Sequence, residues 1–367
     1  MTEDRLRIGI VGCGDVAHRH YLPALAHMAA DVRIAAVMDP REEAARAAVA
    51  SVEAWSPGVR VYRDLAGMLG DGDLDAVIDL APAPHHGEVN QGILDAGLHL
   101  YSEKPLASTL ADANRLIETA AASNSTFLCA PGIAATRRFA WLTDLVRSER
   151  YGPATLAVAQ YADPGPAAWR EYTGDPRPFY REGVGPVFDH GVYRLHAMTT
   201  VLGPVRRVQA MGTTAVPSRV IRGGPLTGQT LEVTTPDHVL INMEFANGAL
   251  GQLLSSFATP ATLAPWLEIH CTGATISFGG QSYDKDAPVS LYVDDSAVPT
   301  DDWRHDIDVP TEPYAVVETG VRHLIDCLLG RTEPMLTAMH ARHVLDITLK
   351  AYASIADGAS HATETAF

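Results

Sequence analysis

Residues 8–17 read Ile8-Gly9-Ile10-Val11-Gly12-Cys13-Gly14-Asp15-Val16-Ala17, a short apolar run, two closely spaced glycines, then the start of a helical pattern. The spacing Gly12-x-Gly14-x-x-Ala17 fits the strand–turn–helix fingerprint of a dinucleotide-binding domain. Gly12 permits the tight turn. Gly14 lets the backbone approach a pyrophosphate, and the small Ala17 lets helix pack on strand. The helix that opens around Asp15 and Val16 offers unpaired N–H groups and a positive dipole end to the phosphates. As a bare pattern the fingerprint is weak. Its position between a strand and a helix gives it weight.

Working outward, short apolar runs at 7–11, 33–38, 60–62, 76–81, 98–101 and 126–130 alternate with helical patterns near 16–29, 41–52, 64–70, 85–96 and 109–123. That alternation predicts βαβ units and a parallel sheet. Right-handed crossovers place every strand's C-terminal end on one edge, where ligands bind. Asp39 ends the second run. A carboxylate there hydrogen-bonds the adenosine ribose hydroxyls and repels a 2′-phosphate, which predicts NAD, with NADP as the second candidate because Arg41 stands nearby. Asp39 also fits an N-cap of the following helix.

The rhythm changes after Pro131-Gly132. A helix over 134–149 precedes a strand over 154–162, and 163–186 is an irregular Pro/Gly-rich stretch. A helix over 186–202 leads into strands from 205 to about 309. Asn247-Gly248 between apolar segments 238–245 and 249–257 is a hairpin signal. Helices near 314–329 and 337–354 follow, with Gly330 as a C-cap and a polar tail. The predicted fold is an α/β Rossmann domain over 1–130. It is followed over 131–367 by an α+β domain for substrate binding and oligomerisation, with a mostly antiparallel open-faced sheet.

Composition narrows the partners. Residues 1–130 carry 10 basic and 18 acidic side chains, and the remainder 18 and 26, so neither half presents the basic surface that nucleic acid requires. The four cysteines have neither metal-ligand spacing nor the density of a disulfide framework, which predicts a reducing cytoplasm. A strand pattern from Arg7 leaves no room for a signal peptide, and no apolar run reaches membrane-spanning length. His85, His86, Asp189, His190 and His196 lack the H-x-x-x-H or H-E-x-x-H spacing of a metal hydrolase, so no metal is expected.

Further motifs narrow the class. Strand 98–101 runs into Ser102-Glu103-Lys104-Pro105, Pro82 and His86 follow the fourth strand, and Gly185–Tyr193 includes Asp189-His190-Gly191-Val192-Tyr193. Together with Gly12–Ala17 and the Glu244–Gly248 hairpin, these make the chain resemble the Gfo/Idh/MocA oxidoreductases, among them glucose–fructose oxidoreductase and inositol dehydrogenase. The resemblance implies hydride transfer at a carbinol or keto carbon of a sugar, sugar derivative or cyclitol, and a homodimer or homotetramer through the C-terminal sheet. It implies cofactor contacts from Gly12, Gly14, Asp15, Val16, Asp39, Arg41, Pro82, His86, Glu103 and Lys104. Substrate contacts fall to Lys104, Arg181, Asp189, His190 and Tyr193, and catalysis to Lys104, Asp189 and Tyr193. The family also holds NAD-using glycoside-cleaving enzymes, which show no net NADH production, and non-catalytic NAD-binding regulators.

Two positions depart from the family pattern. Ala83 stands where asparagine is usual, and Tyr193 stands where D-x-G-x-H has histidine. On a regular helix Asp189, Tyr193 and His196 form one row, with His190 and Arg194 on a neighbouring face. Lys104 is one of only three lysines against 25 arginines, and an amine exchanges protons where a guanidinium does not. Either Tyr193 is the acid/base, with Lys104 polarising the substrate oxygen, or Lys104 takes the proton and Tyr193 binds substrate. Arg170, Arg177, Arg181 and Arg194 admit a phosphorylated or nucleotide-linked substrate.

Overall fold

The opening apolar stretch is β1 (Leu6–Val11), with its last four residues buried. It lies in a parallel sheet with β2 (Val32–Met38), β3 (Arg60–Tyr62), β4 (Ala76–Asp79), β5 (His99–Ser102) and β6 (Phe127–Cys129) in the order β3-β2-β1-β4-β5-β6. The order reverses between β1 and β4, so the crevice of a doubly wound sheet opens beyond the C-terminal ends of these two strands. β4 is buried along its whole length, which is why Ala76-Val77-Ile78 is apolar without alternation before Asp79. A π turn (Ala17–Tyr21) leads into α1 (Leu22–Ala26), followed by α2 (Glu42–Val52), α3 (Leu65–Gly70), α4 (His86–Asp95) and α5 (Leu110–Ala122). Asp64 and Thr109 cap α3 and α5 by accepting the N–H groups of Gly67 and Asp112.

The chain then forms α6 (Arg137–Arg147), β7 (Ala154–Ala162) and the irregular stretch, which holds two short 3₁₀ turns. A second π turn (Val187–Gly191) opens α7 (Val192–Leu202). β8 (Val205–Thr213), β9 (Ser218–Val220), β10 (Thr230–Glu232), β11 (His238–Phe245), β12 (Leu250–Ser256), β13 (Leu267–Cys271), β14 (Ala274–Phe278) and β15 (Val289–Val293) follow. Last come α8 (Val316–Leu328), α9 (Ala338–Asp357) and β16 (His361–Ala362). An eight-stranded sheet has the order β15-β14-β13-β7-β12-β11-β8-β16 and is antiparallel except for the β7–β12 pair. β11 and β12 pair around Asn247-Gly248 as predicted. Along β11 Val239, Ile241, Met243 and Phe245 are buried, while Leu240 on the other face is exposed opposite the exposed Met211.

This is a computed structural model, and it describes residues 5–282, 284–294, 302–305 and 307–367. It divides into two units, Met1–Ala135 with Val316–Leu345, and Thr136–Ala315 with Asp346–Phe367. The sequence reading put everything after 130 in one domain. Residues 316–345 instead group with the first unit, because Val321, Leu324 and Ile325 of α8 pack in the same core as Tyr21, Leu25 and Tyr101. An amphipathic pattern shows that a helix buries one face, not which core receives it. The strand run predicted to reach 309 ends at Val293 among the described residues, apart from a single bridge between Leu291 and Arg304; residues 295–301 and 306 lie outside them. The polar tail contains β16, which extends the sheet beside β8.

Candidate functional site

In the first unit the glycine turn follows β1. Gly12 has φ +86°, and a Cβ there would lie 2.6 Å from the Leu80 carbonyl oxygen, so the position requires glycine. A Cβ on Gly14 would meet nothing within 4 Å. The turn therefore leaves open the room a pyrophosphate needs against bare backbone. Val16 is exposed at the head of this helix, and Asp15 pairs with Arg19 at 2.6 Å.

Asp39 is buried at the end of β2. Its Oδ2 accepts the Cys13 N–H at 3.0 Å, and its Oδ1 accepts the Arg41 backbone N–H at 2.9 Å and Nε at 3.2 Å. Burial alone would raise this carboxyl. The Arg41 guanidinium and the two amides outweigh burial and hold it below the usual carboxylate range.

The loop after β5 carries Lys104. The Glu103 carboxylate accepts the Tyr21 hydroxyl at 2.7 Å through Oε1 and the Lys104 N–H at 2.9 Å through Oε2. The Lys104–Pro105 peptide is cis, and the Lys104 side chain is half-buried. His86 is 1% exposed, with Nδ1 2.6 Å from the Pro105 carbonyl oxygen and Nε2 2.8 Å from that of Ala81. Both ring nitrogens therefore meet backbone, and the residue ties the β4 and β5 loops together, while Pro82 is exposed on the first of these loops. Beneath them lies the fully buried Asp79, whose Oδ1 accepts the Ala81 N–H at 2.9 Å and whose carboxyl is raised by burial. Sequence reasoning missed Tyr21 and Asp79. Tyr21 gave no signal, but an aspartate inside the apolar run Val77-Ile78-Asp79-Leu80 did.

In the second unit the motif helix begins with the π turn, where the Val192 N–H reaches back to the Val187 carbonyl. Asp189 is buried, and its Oδ2 lies 3.7 Å from His190 Nε2. The His190 ring stacks on Tyr161 with centroids 4.3 Å apart and lies 5.7 Å from the Tyr193 ring, the planes 25° apart. The predicted row of Asp189, Tyr193 and His196 assumed a regular helix. The π turn lies across the first residue of that row, and Asp189 and His196 are both buried while Tyr193 is partly exposed. Arg194 is fully buried beside Tyr161 and Trp266, donating to Gln160 O, Ser282 Oγ and Gln281 Oε1. It is thus a structural cation, engaged within the fold and not exposed to an anionic substrate. Arg177 is engaged by Asp175 at 2.6 Å, whereas Arg170 and Arg181 are exposed.

Among the described residues no group of three or more His, Cys, Asp or Glu is arranged to hold a metal ion, and no helix is long and apolar enough to cross a membrane. Comparison with known proteins identifies the family. The family model described as "Oxidoreductase family, NAD-binding Rossmann fold" matches residues 6–130, and that of the GFO/IDH/MocA C-terminal domain matches 139–277. The chain is 31% identical over 238 residues to dTDP-3,4-didehydro-2,6-dideoxy-alpha-D-glucose 3-reductase of Streptomyces violaceoruber, covering 63% of each chain. It is 30% identical over 285 residues to the enzyme of the same name from Streptomyces antibioticus, covering 74% of this chain and 82% of that one. An NAD-binding oxidoreductase from Klebsiella pneumoniae superposes with a TM-score of 0.80 at 19% identity over 98% of this chain and 99% of its own, a likeness of fold. With both domain models matched and a relative at 30% identity covered over most of its length, the chain belongs to the GFO/IDH/MocA oxidoreductase family, whose first domain is an NAD-binding Rossmann fold.

Proposed function

We propose that this chain is a dehydrogenase or reductase that moves a hydride between NAD and a carbinol or keto carbon of a sugar, sugar derivative or cyclitol. One observation carries the reading: Glu103 grips Tyr21 and the Lys104 amide, fixing a half-buried lysine in the loop after β5, at the C-terminal edge of the parallel sheet and one strand from the switch point between β1 and β4. The 3-reductase activity named for the Streptomyces relatives, on a nucleotide-linked keto sugar, supports the substrate class.

The tight turn at Gly12 and the open backbone at Gly14, with Asp15 and Val16 opening the helix, fit a pyrophosphate. Asp39 would hold the adenosine ribose, and its pairing with Arg41 supports NAD over NADP. Pro82, His86 and Glu103 would shape the nicotinamide end, His86 by bracing the Lys104–Pro105 turn. A bound nicotinamide supplies the two-electron acceptor. Lys104 would polarise the substrate oxygen through its ammonium. Tyr193 would hydrogen-bond that oxygen and Asp189 orient the substrate, with His190 and Arg181 as further contacts. Exposed Arg170 and Arg181 support a phosphorylated or nucleotide-linked substrate.

Met211, Leu240 and Leu250, exposed on the open face of the eight-stranded sheet, support self-association there into a homodimer or homotetramer. Four free cysteines support a reducing cytoplasm.

The test is a panel of sugars, inositols, sugar phosphates and nucleotide-linked sugars with NAD and NADP, followed by absorbance of the reduced nicotinamide. Net reduction with at least one polyol supports the reading. Tight NAD binding without turnover across the panel defeats it.

A further inference from the structure

The proposed reaction must place a hydroxyl proton near neutral pH. A phenol that titrates near about 10 does this poorly, and an imidazole does it well. An imidazole stands beside the groups assigned above to the substrate. His190 Nε2 is 3.7 Å from Asp189 Oδ2, and the two side chains are 17% and 8% exposed, so the imidazole keeps some exposure beside a nearly buried carboxylate. The ring is held on three sides. Tyr161 stacks on it at 4.3 Å with planes 12° apart, Tyr193 faces it at 5.7 Å, and Trp169 presents an edge at 5.7 Å. Trp169 is itself fixed, because its Nε1 donates to Asp163 Oδ1 at 2.7 Å. All of this is built on the π turn, a distortion of helix geometry that is often found at functional sites.

We propose that His190, oriented by Asp189 and clamped between Tyr161 and Tyr193, is the proton acceptor of the dehydrogenation. The inference rests on the function proposed above. In the oxidising direction the substrate O–H bond breaks and its proton forms an N–H bond at Nε2 of the neutral imidazole, the nitrogen beside Asp189, since Nδ1 is buried. The C–H hydrogen leaves with its electron pair to oxidised NAD, and the carbon becomes a carbonyl. In the reducing direction the imidazolium returns the proton to the new alkoxide. The Asp189 carboxylate favours the imidazolium. The other groups facing His190 are Tyr193 on α7, Tyr161 on β7 with the Arg194 guanidinium 4.9 Å from the same ring, and Trp169 with Asp163 behind it. Tyr193 then holds the substrate oxygen and is not the terminal base.

The experiment compares wild type, His190→Gln and Tyr193→Phe with a substrate found in the panel. His190→Gln is expected to lower kcat by about a hundredfold or more, with NAD affinity and substrate KM little changed, and to remove the acidic limb of the kcat/KM profile. A second readout needs no turnover. In the free protein, followed by NMR, Asp189→Asn should move the His190 ring titration to lower pH. Wild-type kcat with an intact acidic limb in His190→Gln overturns the proposal, as does loss of that limb in Tyr193→Phe instead. If His190→Gln fails to fold, the Asp189→Asn titration decides, and an unmoved midpoint overturns the pair. Failure of the wild type on every substrate defeats the underlying reading and is distinct from a wild-type-like His190→Gln.

Discussion

The backbone N–H of Cys13 donates to Asp39 Oδ2 at 3.0 Å, so the glycine turn after β1 and the end of β2 are joined through one carboxylate. Arg41 binds the same carboxylate through its backbone N–H and its guanidinium. With Asp39 in its proposed place at the ribose, cofactor choice becomes a competition between a ribose hydroxyl and an arginine already in place. Asp39→Ala is expected to raise the KM for NAD by about tenfold or more, the scale of losing a charge-assisted hydrogen bond. It also frees Arg41 for a 2′-phosphate, so the ratio of kcat/KM for NADP to that for NAD should rise. An unchanged ratio would remove Asp39 and Arg41 from the discrimination.

Glu103 holds Tyr21, whose side chain is fully buried. Glu103→Ala leaves that hydroxyl without its acceptor and the Lys104 amide without its own. Urea unfolding should show a loss of about 1–3 kcal/mol. Glu103→Gln keeps an acceptor and should lose less. Equal losses in the two variants would point to the charge instead of the hydrogen bond.

Tyr193→Phe keeps the ring that faces His190 and removes the hydroxyl. With the phenol as a substrate contact, KM should rise by about five- to tenfold, the scale of one hydrogen bond, and kcat should stay within about tenfold of wild type. Steady-state kinetics in both directions checks this.

His340 on α9 is 4% exposed, and burial, aided by the neighbouring His343, pushes its pKa down to about 3. The unfolded ring titrates near about 6.5, so below that value the unfolded state binds a proton that the folded state refuses. Its stabilising contribution is fully present above the unfolded value. It falls as pH drops toward about 3, at up to about 1.4 kcal/mol per pH unit. His340→Gln should flatten the stability profile over that window, measured by urea unfolding at several pH values.

Much of this architecture was legible because buried parallel strands read as unbroken apolar runs, and all six runs expected in the first 130 residues became strands. Asn247-Gly248 placed its hairpin for an equally local reason, the φ of +90° at Gly248. The losses are of another kind. A period of 3.6 was assumed across 186–202, but the turn at Val187–Gly191 is π, and nothing local in the residues announces a bond five residues long. Arg194 read as a possible anion contact because an arginine's desolvation depends on residues far away in sequence, here Tyr161, Trp266 and Gln281. The same holds for α8, whose apolar face was visible and whose core was not.

The central claim, hydride transfer from a carbinol carbon to NAD, is tested most directly by isotope. A substrate identified in the panel is deuterated at the carbinol carbon, and the NADH formed is weighed by mass spectrometry. The account predicts NADH one mass unit heavier than that from unlabelled substrate, and no NADH from Lys104→Ala although NAD still binds. Product formed with no labelled NADH would contradict it.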